Sequence, residues 1–205
     1  MIRRLLLITI CLLTIGIAEA KLKVTTEADG TVVLTLEASG DINGEFTYKD
    51  YASYEASSLL KPHLNATKMK IVTPENVKLS DEDLKRITGM ADEENNFSKL
   101  ENLDMKDANV EHDATLVNLH FMDNLKTFTF PKTTTVIPDR CFVDYHCKIE
   151  HVIIPDNPKR EVTVGMQAFG SSLKSIVLGA VKPNGNSQLK QHAFLGCYSL
   201  SKVDF

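Results

Sequence analysis

A chain of 205 residues with a formal net charge of −4 can fold one or two units around a real core, and it is too weakly acidic to imply a nucleic-acid partner. Beyond the first twenty residues no apolar stretch is long enough to span a bilayer, which excludes a membrane-spanning mature chain.

Residues 1–20 have the layout of a secretory signal peptide. Arg3 and Arg4 form the basic start, 5–18 the apolar run, and Ala18-Glu19-Ala20 the cleavage site. The run is shorter than the roughly 20 apolar residues of a spanning helix. Ile10 is too large to precede a lipidated Cys11. Cleavage removes Arg3, Arg4 and Glu19 and moves the formal charge from −4 to −5.

Residues 21–38 alternate, with Leu22 and Val24 before Asp29-Gly30 and Val32, Leu34 and Leu36 after it. Asp-Gly between alternating runs predicts a β-hairpin, because both residues tolerate positive φ. Residues 51–64 read as a short helix with Leu59 and Leu60 inward, ending near Pro62. Residues 21–66 thus make a small α+β N-terminal region. The alternation resumes over 67–72, and Ser80 opens a helix running to about Met90. The serine caps the first free amides while Asp81, Glu82 and Asp83 face the positive end of the helix dipole. Leu84, Ile87 and Met90 share one face. Residues 67–105 therefore read as an irregular entry repeat of strand, helix and strand.

From Leu100 onward one apolar pattern returns five times. It is Leu100-x-x-Leu103-x-Met105, Leu125-x-x-Phe128-x-Phe130, Ile149-x-x-Val152-x-Ile154, Leu173-x-x-Ile176-x-Leu178 and Leu200-x-x-Val203-x-Phe205. The first anchors are 25, 24, 24 and 27 residues apart, inside the period of leucine-rich repeats. A second periodic feature lies between them. Ile137, Val164 and Leu189 each stand five residues before Phe142, Phe169 and Phe194, which Cys141, Ala168 and Ala193 precede.

These residues, with Cys197 and Leu200 in the order A-F-x-x-C-x-x-L and with Pro131 and Pro155 after two strands, resemble the BspA-like leucine-rich repeat proteins of anaerobic oral and gut bacteria. The fold expected is α+β, a leucine-rich repeat solenoid over 67–205. Its short parallel sheet and irregular or helical return segments follow the small N-terminal region, and the BspA-like repeats cover about 100–205. Departures from the pattern mark the loops. The turn after Phe169 is shortened, and 156–160 and 182–186 read as solvated loops from their Pro, Gly and Asn content.

The three cysteines of the mature chain admit a Cys141–Cys147 disulfide, but the repeat frame explains them more simply as small buried thiols. Cys141, His146, Cys147 and His151 contain metal-ligand types without ligand spacing, and the frame sends Cys141 inward and His151 outward, so no metal is expected. No nucleophile, metalloprotease or phosphate-loop motif is present, so no enzyme and no cofactor are expected. Asp81–Asp83 and Asp92–Glu94 read as a helix start or a solvated face. Asn65-Ala66-Thr67 and Asn96-Phe97-Ser98 match the glycosylation acceptor pattern and are coincidental in the bacterial source that the resemblance implies.

Strand residues alternate in and out. With Leu103, Phe128, Val152, Ile176 and Val203 inward, a lateral strip faces out. It holds Asn102 and Asp104, Thr127 and Thr129, His151 and Ile153, Ser175 and Val177, and Lys202 and Asp204. Thr127, Thr129, His151, Ile153, Ser175 and Val177 are the candidate ligand-binding residues. Branched residues also suit any pleated surface, so the Thr129, Ile153 and Val177 stripe has a purely structural explanation as well. Phe205 closes the fifth anchor without a capping unit, leaving a terminal strand open to pairing with a partner. The resemblance implies a secreted or cell-surface binding protein with a protein partner, either an extracellular-matrix or a bacterial-surface protein. The alternatives are a glycan-binding or scaffolding component of the envelope and a truncated array.

Overall fold

The architecture is that of a computed structural model, which describes residues 22–50, 53–88, 97–143, 147–156, 161–179 and 188–205. The signal segment over 1–20, Met90, His146, 157–160 of the first polar loop and 182–186 of the second lie outside these residues.

β1 (Lys23–Thr26) and β2 (Val32–Thr35) form the expected antiparallel hairpin, with Lys23 opposite Thr35. Its turn differs from the Asp-Gly expectation in one respect: among its residues only Gly30 takes positive φ, 84°. Asp29 instead uses its carboxylate, which accepts the Thr31 N–H at 3.0 Å.

After the helical turn α1 (Asp41–Gly44) come β3 (Phe46–Asp50) and β4 (Ser53–Ala56), paired antiparallel, and a 3-10 turn over Lys61–His63. The helix expected over 51–64 is therefore overturned. Tyr54 meets Tyr48 edge-on at 5.4 Å, and the Arg86 guanidinium lies 3.5 Å from the Tyr54 ring centroid. Those cross-strand and long-range contacts outweigh a weak local helix preference. Leu60 is buried as expected, but Leu59 is exposed.

β5 (Lys68–Val72), α2 (Asp81–Thr88) and β6 (Asn102–Asp107) follow, and a 3-10 segment covers Asp113–Phe121. The rest of the chain is β7 (Thr127–Thr129), β8 (Val136–Ile137), β9 (His151–Ile154), β10 (Thr163–Val164), β11 (Ser175–Leu178), β12 (Gln188–Leu189) and β13 (Lys202–Asp204). The main sheet has the order β1-β2-β5-β6-β7-β9-β11-β13, parallel throughout after the first pair. β12, β10 and β8 form a second parallel sheet of two-residue strands. The N-terminal hairpin is continuous with the repeat strands through β2 and β5.

The apolar triads of the first four repeats are buried in one core with Ile137 and Val164 of the small sheet. Each such side chain contributes roughly 1.5–3 kcal/mol. Phe142 stacks on Phe169 at 6.0 Å and Phe169 on Phe194 at 5.3 Å, so the phenylalanine column runs along the stack. The shortened turn after Phe169 depends on Gly170, where a Cβ would lie 2.7 Å from the Phe142 carbonyl oxygen. In the last unit Val203, expected inward, is 41 % exposed and Phe205 78 %, because β13 is the edge of the sheet.

The Ser80 cap forms a reciprocal box. Its Oγ accepts the Asp83 N–H at 3.1 Å, and Asp83 Oδ2 accepts the Ser80 N–H at 2.9 Å. Asp83 is not on a solvated acidic face. It is fully buried, and it also accepts the Gly40 and Asn43 N–H groups at 2.9 and 2.8 Å. The helix start is thereby tied to α1.

Candidate interaction face

Parallel pairing sets the candidate strip in two straight rows. Asn102, Thr127, His151, Ser175 and Lys202 are successive register partners, as are Asp104, Thr129, Ile153, Val177 and Asp204. The row between them, Leu103 to Ile176, points into the core. The six candidate residues thus share one face across three neighbouring strands.

Their exposure is uneven. His151 and Ile153 are exposed, Thr127, Ser175 and Val177 half-buried, and Thr129 is buried at 9 %. Thr129 lies at the floor of a shallow depression of about 270 Å³, lined also by Lys68, Lys70, Asn102, Asp104 and Thr127. Lys68 and Lys70 were legible in the alternation over 67–72, where they oppose Met69 and Ile71; the signal was the same period of two that places the strip. The face is therefore polar at the β5–β7 end and apolar around Ile153 and Val177. His151 Nδ1 lies 2.8 Å from the Ser175 hydroxyl, which links two members of one row.

An alternating charge ladder borders the strip. Glu101, Lys126, Glu150 and Lys174 each follow the first apolar anchor of their repeat. Glu101 pairs with Lys126 at 3.1 Å and Glu150 with Lys174 at 2.8 Å. The backbone follows the same column: the Glu101 carbonyl accepts the Lys126 and Thr127 N–H groups, and the Glu150 carbonyl those of Lys174 and Ser175. The Lys174 ammonium, hydrogen-bonded to Glu150, holds that carboxyl below its usual range. On the β5 side, hydrogen bonds from Thr31 and Lys68 pull the Asp29 carboxyl from its ordinary 3.8 to about 2.

Cys141, Cys147 and Cys197 are not joined to one another in a disulfide. Burial, with Cys147 nearby, pushes the Cys141 thiol well up, and burial raises Cys197. Such thiols are packing groups. Cys141 directs its Sγ at the Leu116 carbonyl at 3.6 Å inside the core, whereas His151 stands on the open face, so these two do not converge on an ion.

The repeat frame, the buried triads and the phenylalanine column coincide with a family model described as a BspA type leucine-rich repeat region, which matches residues 93–205 in six copies. The match covers more than half the chain. The chain belongs to the BspA-type leucine-rich repeat family. It matches no curated protein and no solved structure. Among the described residues, no helix is long and apolar enough to cross a membrane. Membership points to a repeat-based protein-interaction or surface protein.

Proposed function

We propose that this is an exported, non-enzymatic binding protein that recognises a protein partner through the open face of its main sheet. Its use would be adhesion to a host-matrix protein or to a protein on another bacterial surface. The observation that carries the reading is the lateral continuity of the strip, in which exposed Ile153 and half-buried Val177 form an apolar centre between polar neighbours. Apolar anchors within a polar rim are the anatomy of protein interfaces. Export rests on the signal-peptide layout of residues 1–20. The polar depression beside Thr129 favours a second reading, a glycan ligand held in the cell envelope.

The test is binding of residues 21–205 to a panel of matrix proteins and surface glycans, beside the double variant Ile153→Asp, Val177→Asp. Saturable protein binding that the folded variant loses supports the first reading. Glycan binding that survives it supports the second, and no binding to any protein by the folded wild type overturns the adhesin role.

A further inference from the structure

We propose a divalent transition-metal site, of the kind that takes zinc, held by Asp81, Glu111 and His112. One imidazole nitrogen and one oxygen from each carboxylate lie within 4.8 Å of one another, and among the described residues no other group of three such side chains comes this close. The sequence does not announce the set, since Asp81 starts α2 and the other two follow β6.

Backbone bonds hold the two segments side by side. The Leu79 N–H donates to the Asn109 carbonyl at 2.7 Å, and the Glu111 N–H donates to the Leu79 carbonyl at 2.9 Å. The segment leading into Asp81 is thus held beside the Glu111-His112 pair by its backbone, which favours a pre-organised site. His112 Nδ1 sits 3.3 Å from Asp81 Oδ2, already turned toward the carboxylate.

The donor set decides the metal. Imidazole with carboxylates suits zinc and its transition-metal neighbours, whereas calcium and magnesium prefer oxygen alone. Two carboxylate oxygens this close repel each other, and a dication between them and the imidazole removes that repulsion. Three protein ligands leave an open coordination position. Glu111 and His112 line a groove of about 640 Å³ that also carries Glu75, Asp113 and a single lysine, Lys78. Its acidic excess draws a cation in, and its volume leaves room for water on the open side. Nothing in this site overlaps the strip proposed for partner recognition.

The experiment is isothermal titration of the metal-free full chain with zinc chloride, then with calcium chloride, beside His112→Ala, Glu111→Gln and His151→Ala. The three substituted side chains are exposed or half-exposed, and circular dichroism verifies that each variant folds. The result expected is one zinc per chain, weakened at least about tenfold by His112→Ala and by Glu111→Gln, unchanged by His151→Ala, with no comparable calcium binding. Absence of saturable zinc binding overturns the proposal. So does binding that His112→Ala leaves intact, or that His151→Ala weakens equally.

Discussion

Thr129 and Ile153 are register partners on adjacent parallel strands, yet Thr129 is 9 % exposed and Ile153 36 %. The same row of the sheet therefore contains a buried position and an exposed one. Ile153→Asp removes an apolar contact where water already reaches, so the fold is expected to hold and partner binding to fall. Thr129→Asp places a carboxylate at a mostly buried position and is expected to cost about 2–3 kcal/mol. Thermal unfolding of the two single variants separates these outcomes, and equal loss of stability would refute the difference.

Gly170 is set against the Phe142 carbonyl, and Gly165 against the Asp139 backbone nitrogen, where a Cβ would lie 2.5 Å away. Neither neighbour is a flexible side-chain end. Gly170→Ala is expected to destabilise by about 1–3 kcal/mol, lowering Tm by roughly 2–4 °C per kcal/mol. Gly44, at the end of α1 with open space around it, is the control: Gly44→Ala is expected to be neutral or to stabilise by up to about 1 kcal/mol.

Asp83 anchors three backbone N–H groups and the Ser80 hydroxyl from a fully buried position. Asp83→Asn turns one acceptor into a donor facing other donors. The expected cost is about 2–4 kcal/mol, with faster hydrogen exchange at Gly40 and Asn43. Unchanged protection at those two amides would show that the carboxylate does not hold α1.

The lowered carboxyls predict acid sensitivity. Asp29, Asp107, Asp139 and Glu150 all titrate below their usual range, the last three through Lys132, the Met166 N–H and Lys174 respectively. A carboxyl depressed in the folded state stabilises above its unfolded pKa and loses that contribution as pH falls through the folded value. Stability should thus be flat above the ordinary carboxylate range and decline from there toward about 2, the Asp29 value. Reversing the ladder with Glu150→Lys aligns three positive charges with Lys126 and Lys174. Its effect on Tm should be visible at low ionic strength and shrink in molar salt, because the pairs are exposed.

Much of the repeat region was legible because its determinants are local and periodic. A residue every second position must alternate faces, and a unit returning every 24 to 27 residues must stack on its copy, so the buried triads and both outward rows followed from spacing. Ser80 was readable for the same reason, since a cap acts within one helical turn. The second sheet was harder: Val136–Ile137, Thr163–Val164 and Gln188–Leu189 are too short to carry a strand pattern, and only stacking pairs them.

By itself, then, the order of residues determined the period, the inward triads of the first four repeats, the register of the strip and the position of the phenylalanine column. Tertiary structure alone decided that Tyr54 belongs to a hairpin under Arg86, that Asp83 is buried between α1 and α2, that Thr129 is buried and Ile153 exposed, and that Asp81 comes close to Glu111 and His112. The physical reason is range. Periodicity reports which side of an element is apolar, but exposure and convergence depend on which distant segment packs against it, and that information is spread over the whole chain.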